Sequence, residues 1–200
     1  MDRPGQLNRE TVIGKKIYEL TTLPEISTVV DIGTWNGNGS TRCIYEGILE
    51  SRKKDYKVLS FEIDRNFYKQ AKFNLFPPLN NFDLVYGSLV SYEELIKQRE
   101  IYGNHKWLEE DLVNLSKAPY VFNMVPEKIN LCVMDGGEFS GYIEFTKLWK
   151  RCDYIVLDDT LTYKHTESRK FILDNLDDFT VIYDNINERN GCMIVNVKQK

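Results

Sequence analysis

Three aspartates follow two short apolar segments of the chain, and their side chains could do chemistry together. Asp135 ends segment 129–135, while Asp158 ends segment 154–158 and is followed by Asp159. Neighbouring strands of a sheet lie about 4.8 Å apart, so the carboxylates would meet if these segments are adjacent strands. Three acids without a cation would repel one another, and a hard cation such as Mg²⁺ binds oxygen ligands. The trio therefore predicts a site for Mg²⁺ or another divalent cation; the alternative is that the aspartates only cap the helices that follow.

A glycine-rich segment follows another apolar run, Thr28–Ile32. Residues 33–40 read Gly-Thr-Trp-Asn-Gly-Asn-Gly-Ser, and glycines let a backbone approach a ligand where a Cβ would collide. A helix from about Ser40 would point its N-terminal amides at the same place. The G-x-G-x-x-G spacing of dinucleotide sites is broken, and Asp31 would repel a pyrophosphate, which disfavours a nicotinamide oxidoreductase. The segment predicts a ligand loop, with an ordinary strand-to-helix turn as the alternative.

A further acid ends the apolar run Lys57–Glu62. A carboxylate at the tip of a strand can accept hydrogen bonds from both hydroxyls of a ribose. Because this run directly follows the glycine-rich unit, we expect Glu62 to lie beside the ligand loop. The alternative is a solvated acid at the end of a strand.

Together these residues resemble class I S-adenosylmethionine (SAM) methyltransferases. Motif I of that family has an acid, a glycine two residues later and further glycines, as in Asp31, Gly33 and Gly37. Trp35 stands where a glycine is frequent, and an aromatic residue there is similar to catechol-type O-methyltransferases. The resemblance implies SAM as cofactor, with Glu62 on its ribose. The residues that it assigns to SAM binding are Asp31, Gly33, Thr34, Trp35, Gly37, Ser40, Glu62, Ile63, Gly87, Ser88 and Asp135.

The acidic trio resembles the metal site of class I metal-dependent O-methyltransferases, both the catechol type and the type that methylates sugars. The resemblance implies that Asp135, Asp158 and Asp159 hold Mg²⁺ against two vicinal hydroxyls of the acceptor. Related enzymes carry Lys or His three residues after the first of these acids, where this chain has Glu138. We predict Glu138 as the general base, with His165 as the second candidate. The form Asp-Gly-Gly-Glu-Phe is similar to methyltransferases found with glycan-assembly enzymes.

The elements that must position these residues alternate between extended and helical periodicity. This alternation predicts an α/β fold of the Rossmann-like, doubly wound type with a mostly parallel, seven-stranded sheet. Asn190 and Gly191 form a turn signal, so the last two strands are expected to form a C-terminal antiparallel hairpin. The predicted strands are Thr28–Ile32, Lys57–Glu62, Phe82–Tyr86, 129–135, 154–158, 179–184 and Cys192–Val197. The predicted helices are 7–20, Ser40–Ser51, 65–76, 91–99, 142–149 and 166–176.

Length and composition agree with a single domain. The 200 residues, 42% of them hydrophobic, can bury one core, so we expect one domain over residues 1–200, with residues 1–25 as an N-terminal helical cap. Residues 100–128 are too many for a simple connection and are predicted to form an insertion. Such an insertion is either a lid or substrate wall, or a mobile loop.

Charge and cysteine usage limit the partners. The net charge of −4 provides no electrostatic footprint for a nucleic acid, and the sequence shows neither a secretory signal nor a membrane span. The four cysteines have no C-x-x-C spacing and are expected to be reduced, with Cys132 and Cys192 buried. We therefore expect a cytoplasmic protein whose partner is a small molecule or a glycan.

The sequence thus predicts an enzyme that transfers a methyl group from SAM to a hydroxyl of a sugar, a glycan or another polyhydroxylated acceptor, assisted by a divalent metal. Two alternatives stay open at this point. The first is a metal-independent methyltransferase of a small molecule or a protein, in which the acids cap helices. The second is a non-catalytic SAM-binding module of a larger glycan-assembly protein.

Overall fold

Five parallel strands and an antiparallel pair form the central sheet. The structure is a computed structural model that describes residues 7–199, so the first six residues of the predicted cap and residue 200 of the predicted domain lie outside the described residues. The strands are β1 (Thr28–Ile32), β2 (Lys57–Glu62), β3 (Phe82–Tyr86), β4 (Ile129–Met134), β5 (Cys152–Asp158), β6 (Phe179–Asn185) and β7 (Cys192–Val197). The helices are α1 (Val12–Thr22), α2 (Ser40–Ser51), α3 (Arg65–Asn74), α4 (Tyr92–Leu95), α5 (Arg99–Tyr102), α6 (Lys106–Leu115), α7 (Gly141–Leu148) and α8 (Thr166–Asp174).

The strands are arranged in the order β3-β2-β1-β4-β5-β7-β6. Strands β1 to β5 are parallel, whereas β7 runs antiparallel to both β5 and β6. Ile32 at the end of β1 pairs with Phe61 on one side and with Met134 on the other, so three strands end at one edge. The strand order reverses between β1 and β4, which is where ligands bind in open α/β sheets. The predicted Rossmann-like sheet with its C-terminal antiparallel hairpin is confirmed.

Hydrophobic residues cover both faces of the sheet. Val29 and Val133 belong to a core cluster that includes residues of α1 and α2, whereas Val30 and Cys132 belong to the cluster on the opposite face. Successive side chains of a strand point to opposite faces, which is why continuous apolar runs form strands that are buried on both sides. This double cover holds the ends of the strands, and the acids on them, in fixed positions.

Some helix bounds differ from the sequence prediction. Helix α1 begins at Val12 rather than at residue 7, because Thr11 caps it by accepting a hydrogen bond from the Gly14 amide. Helix α3 ends at Asn74, two residues before the predicted end, since Pro77 disfavours helical geometry in the residue before it. The helix predicted over 91–99 is divided into α4, a 3₁₀ turn and α5.

The insertion over residues 100–128 is packed against the rest of the domain. Its main helix, α6, buries Leu112 in a small core cluster that also contains Leu95 and Phe139. An isolated bridge between Tyr120 and Ser88 attaches the second half of the insertion to the segment after β3. These contacts place the insertion beside the carboxyl edge of the sheet.

The four cysteines are free and buried, as predicted for Cys132 and Cys192. Burial raises the pKa of the Cys43 and Cys192 thiols to about 12, so these thiols stay protonated and unreactive. Within residues 7–199, no helix combines the length and the apolar character that crossing a bilayer requires.

Candidate functional site

A cavity of about 470 Å³ opens at the carboxyl ends of β1, β2 and β4. Its floor includes the strand-end residues Ile32 and Phe61, and helix α6 of the insertion contributes Asp111 and Asn114 to its wall. A concave site of this size, with a few polar groups among apolar ones, is typical for a small-molecule ligand. The cavity lies at the reversal of strand order described above.

The glycine-rich loop shapes one side of the cavity. Gly33 has a φ of +94°, and a Cβ there would lie 2.1 Å from the carbonyl oxygen of Asp135, so only glycine fits. Trp35 has a φ of +50°, which is uncommon for a bulky residue. Its backbone N–H donates a hydrogen bond to Glu62 Oε2 over 2.6 Å. Backbone strain of this kind clusters at ligand sites, where the surrounding structure holds it in place.

Glu62 ends β2 and borders the cavity, as does the following Ile63. Its Oε1 accepts a hydrogen bond from the Asp64 amide over 2.7 Å, so that each carboxylate oxygen has at least one backbone donor, and the Ile63 amide also stabilises the carboxylate. Each oxygen can accept a second hydrogen bond, which leaves capacity for two hydroxyls of a ligand. Burial raises the pKa of Glu62 to about 7, although the amide donors act in the opposite direction. The position is suitable for the predicted ribose contact.

Asp31 lies behind the loop and does not border the cavity. Its buried carboxylate accepts hydrogen bonds from Ser40 Oγ at 2.9 Å, and from Thr41 Oγ1 and Ser60 Oγ at 2.6 Å each. Burial raises the pKa of Asp31, while the three hydroxyls lower it. Asp31 and Ser40, both predicted to contact SAM, therefore position the loop instead of facing a ligand.

Thr34 and Gly37, also predicted to contact SAM, have structural partners as well. The hydroxyl of Thr34 lies 2.5 Å from Ser60 Oγ inside the protein. Gly37 has a φ of +84°, and a Cβ there would meet Ala71 and Leu75 of the α3 region at 3.1 Å. The glycine is needed for the close approach of loop and helix, and neither residue borders the cavity.

Gly87 and Ser88, which follow β3, border the cavity at its other end. The Ser88 hydroxyl donates to the Val90 carbonyl over 2.8 Å and accepts from the Val90 amide over 3.0 Å. The Ser88 amide donates to the Pro119 carbonyl of the insertion. A ligand at this end would therefore meet a surface made by the backbone rather than a free serine hydroxyl.

The three predicted metal ligands meet at one side of the cavity. Asp135, Asp158 and Asp159 each offer a carboxylate oxygen within 4.8 Å of the others. They come together because β4 and β5 pair in parallel, with Met134 opposite Leu157. Asp159 has a φ of +55°, a left-handed conformation that Asp adopts more readily than most residues. The predicted convergence of the three acids is therefore present.

Two cationic side chains that the sequence prediction did not include already neutralise much of this charge. Lys164 Nζ lies 2.9 Å from Asp135 Oδ1 and 2.7 Å from Asp159 Oδ2. Arg189 binds Asp158 through Nε at 3.2 Å and Nη2 at 2.8 Å. Burial opposes the charge of Lys164, but the surrounding carboxylates raise its pKa well above the ordinary value. The Lys164 ammonium is therefore charged at neutral pH.

This arrangement does not fit a divalent metal held by the trio. Arg189 engages both oxygens of Asp158, whose side chain is 1% exposed, so a metal there would have to compete with a bidentate guanidinium in a buried site. A metal between Asp135 and Asp159 would displace the Lys164 ammonium, which would lose both of its carboxylate partners in a buried position. Side chains from the loops after β5 and β6 offset part of the repulsion from which the metal was predicted, although burial and repulsion from Asp135 and Asp159 still raise the pKa of Asp158 to about 7.

Neither residue predicted as the general base borders the cavity. His165 is buried, with Nε2 3.1 Å from the Met134 carbonyl oxygen and Nδ1 3.2 Å from Ser168 Oγ. Burial lowers the pKa of His165 to about 3, so the neutral ring serves to hold the loop after β5 against β4. This geometry does not support His165 as the base. Glu138 is half-buried outside the cavity, close enough to Asp111 to raise the pKa of that acid.

Two further acids border the cavity, Asp111 from α6 and Glu144 from α7. Asp111 Oδ2 and Glu144 Oε2 are shielded from solvent and have no hydrogen-bond partner among the described residues. Burial raises the pKa of Asp111 to about 6 and that of Glu144 to about 7. A buried oxygen without a donor is costly, so a ligand that donates a hydrogen bond at this place would be stabilised. Only amphipathic spacing marks these helices in the sequence, so no motif identifies either acid.

Comparison with solved structures identifies the fold. An O-methyltransferase from Bacillus cereus in complex with SAH has a TM-score of 0.64 at 14% identity, covering 98% of this chain and 84% of that chain. This chain has the fold of a SAM-dependent methyltransferase. A methyltransferase from Geobacter sulfurreducens is similar, with a TM-score of 0.60 at 15% identity over 99% of this chain and 81% of that chain. An SAH-bound methyltransferase from Podospora anserina has a TM-score of 0.59 at 12% identity over 93% of this chain and 78% of that chain. No family model matches the sequence, and no curated protein matches it.

Proposed function

We propose that this chain is a SAM-dependent O-methyltransferase that acts on a hydroxyl of a sugar, a glycan or another polyhydroxylated acceptor. The observation that carries the proposal is the cavity bordered by Trp35 and Glu62 on one side and by Asp135 on the other. It lies at the sheet edge where ligands bind in this kind of fold. One solved structure with this fold is an O-methyltransferase with SAH bound, which supports the choice of donor.

The glycine-rich loop and the end of β2 would hold SAM. Gly33 lets the loop approach the β4 end closely, and Glu62 has free acceptor capacity for the ribose hydroxyls. The acids around the cavity complement the positive charges of the sulfonium and ammonium groups. SAM, when bound, supplies an electrophilic methyl group, so the protein's own residues mainly orient the acceptor and take its proton.

Acids at the far side of the cavity support an acceptor rich in hydroxyls. Asp111, Asp135 and Glu144 all border this side, and two of them have a carboxyl oxygen without a donor. Hydroxyl groups would supply the missing hydrogen bonds, whereas an apolar acceptor would leave these buried oxygens unpaired. The net charge of −4 makes a nucleic-acid acceptor unfavourable.

An aromatic cluster whose Tyr163 directly precedes the cavity-lining Lys164 also supports a sugar-like acceptor. Tyr102 from the insertion packs on Phe139 and Tyr163, with ring centroids 5.1 and 5.0 Å apart, and Phe139 stacks on Tyr163 at 5.4 Å. Tyr163 directly precedes Lys164 and is half exposed. Aromatic rings next to a few polar groups are typical of small-molecule sites, and such rings can pack against the C–H face of a sugar.

The divalent metal that the sequence predicts is not part of this proposal. Lys164 and Arg189 already pair with the acids that would hold it, and the contacts of the trio are those of ion-paired carboxylates. The proposed methyl transfer does not require a metal, because SAM carries the electrophilic methyl group and the acceptor oxygen is the nucleophile.

Calorimetry with SAM, SAH and NAD tests the donor. We expect saturable binding of SAM and SAH to the wild-type chain and no binding of NAD, because the glycine spacing of dinucleotide sites is absent. Binding of NAD without SAM would overturn the proposal. Binding of SAM without turnover on any acceptor would favour a non-catalytic SAM-binding module instead.

Transfer of a labelled methyl group from SAM to a panel of sugar nucleotides, glycosides and catechols tests the acceptor. Tyr163→Ala should raise the KM for a sugar acceptor severalfold and leave the Kd for SAM unchanged, because Tyr163 directly precedes Lys164, which borders the cavity beside the acids. Tyr142→Ala is the matched control, since Tyr142 is a part-exposed tyrosine on α7 that stacks on Phe145 and not on the cluster of Tyr102, Phe139 and Tyr163. An equal effect of both substitutions, or turnover of catechols alone, would contradict the sugar-like acceptor.

A further inference from the structure

We infer that Lys164 acts as a built-in cation in place of a divalent metal, so that this site methylates its acceptor without one. The inference deepens the proposed function and rests on it, because it concerns the same cavity. Lys164 Nζ bridges two acids, at 2.9 Å from Asp135 Oδ1 and 2.7 Å from Asp159 Oδ2. Its side chain is 8% exposed and borders the cavity, so its positive charge is fixed beside the place where an acceptor would bind.

Arg189 pairs with Asp158, the third acid of the trio, and this ion pair makes Asp158 a poor ligand for a metal. Asp158 is 1% exposed and has both carboxylate oxygens engaged by Arg189. Asp158 therefore stabilises the turn between β6 and β7, which carries Arg189, against the end of β5, and it does not face the cavity. The trio that resembles a metal site is thus divided into one sequestered ion pair and one lysine-bridged pair of acids.

The remaining hydrogen-bond capacity points to one position for the acceptor hydroxyl. Each oxygen of Asp159 already accepts one hydrogen bond, from Lys164 Nζ and from Asn190 Nδ2 at 3.0 Å respectively. Within the described residues, Asp135 Oδ2 is the one oxygen of the trio for which the structure gives no hydrogen-bond partner. An ammonium has three N–H donors, of which Lys164 uses two on these acids. A hydroxyl could accept the third N–H and donate its proton to Asp135 Oδ2.

The chemical step balances with these two residues. The acceptor oxygen attacks the methyl carbon of SAM, the carbon–sulfur bond breaks, and the sulfur keeps the electron pair as neutral SAH leaves. The hydroxyl proton passes to Asp135 Oδ2 and is later lost to water. Lys164 keeps its proton throughout and stabilises the negative charge that develops on the acceptor oxygen.

Metal binding tests this inference without any need for turnover. We expect that wild-type protein titrated with Mn²⁺, followed by electron paramagnetic resonance, will not bind the ion at millimolar concentration, with or without SAH. Lys164→Met removes the ammonium and leaves the acids, so this variant should gain Mn²⁺ affinity by about tenfold or more. Lys147→Met is the matched control, because Lys147 is also a largely buried lysine whose ammonium pairs with a carboxylate, Glu94, at 3.0 Å.

Several outcomes decide the matter. Mn²⁺ binding to the wild type that is lost in Asp135→Asn would overturn the inference, and so would a folded Lys164→Met variant that gains no affinity. Turnover of the wild type that stops in EDTA and returns with Mg²⁺ would also overturn it. If Lys164→Met does not fold, the wild-type titration and the EDTA assay still decide. Failure of the chain to bind SAM would refute the proposed function, and the Mn²⁺ titrations would report separately on the acidic trio.

Discussion

The backbone N–H of Trp35 donates to Glu62 Oε2 over 2.6 Å, and this hydrogen bond joins the glycine-rich loop to the tip of the neighbouring strand. The same carboxylate accepts from the Asp64 amide over 2.7 Å. Glu62 thus fixes the loop and also presents free acceptor capacity to the cavity. A change at this residue should affect SAM binding through both effects.

Glu62→Gln should weaken SAM binding by about tenfold to hundredfold. The amide places an N–H₂ group opposite a backbone donor and loses a charge-assisted hydrogen bond, which is worth about 1.5–3 kcal/mol. Calorimetry with SAM measures the change. Glu46→Gln serves as the control, because Glu46 pairs with Arg9 on the surface and lies outside the cavity. Equal affinity of Glu62→Gln and wild type would refute the ribose contact.

Gly33→Ala should destabilise the fold by more than about 3 kcal/mol and abolish SAM binding. The new Cβ would approach the Asp135 carbonyl oxygen to 2.1 Å at a φ of +94°, so strain and steric overlap add together. Gly103→Ala separates backbone strain from steric overlap, since Gly103 also has a positive φ but has free space around its Cβ position. Urea denaturation gives both free energies of unfolding. Similar losses for the two variants would mean that the loop moves away without cost.

The strands were predictable because their signal is local and strong. Thr28–Ile32 and Cys192–Val197 are mostly apolar runs with the observed bounds, each interrupted by one polar residue, Asp31 or Asn196, as expected for strands that are largely buried on both faces. Helix bounds were less accurate, because they depend on single contacts. The hydroxyl of Thr11, for example, starts α1 by accepting from the Gly14 amide, and several earlier residues have the same helical periodicity.

The acids of the site were predictable from strand ends, but their partners were not. Asp135 and Asp158 end neighbouring strands, so their proximity follows from the topology. Lys164 and Arg189 lie in loops, and hydrophobic periodicity carries no information about where a loop places a charge. The partners of Asp31 could not be predicted either, because its three hydroxyl donors, one of them from β2, come together only in the folded structure.

Leu112→Ala in the insertion should reduce the free energy of unfolding by about 2–5 kcal/mol, as for other buried leucines. Leu112 is 3% exposed and belongs to the cluster that joins α6 to Phe139. The adjacent Val113 is 53% exposed, so Val113→Ala should change stability by less than about 0.5 kcal/mol. Urea denaturation compares the two. A loss below about 1 kcal/mol for Leu112→Ala would mean that the insertion opens independently as a mobile lid.

Glu144→Gln should change how stability depends on pH. Burial raises the pKa of Glu144 from the ordinary 4.5 to about 7, so the folded chain keeps a proton that the unfolded chain loses. The contribution of Glu144 to the free energy of unfolding is therefore complete below pH 4.5 and is lost as the pH rises to about 7. Glutamine stays neutral, so the variant should gain stability relative to wild type across this range, by at most about 3 kcal/mol. Urea denaturation at several pH values measures the difference in the free energy of unfolding. Glu127→Gln is the control, because the Glu127 side chain is 92% exposed. If the free energies of unfolding of wild type and Glu144→Gln depend on pH in the same way, a donor already satisfies the Glu144 carboxylate.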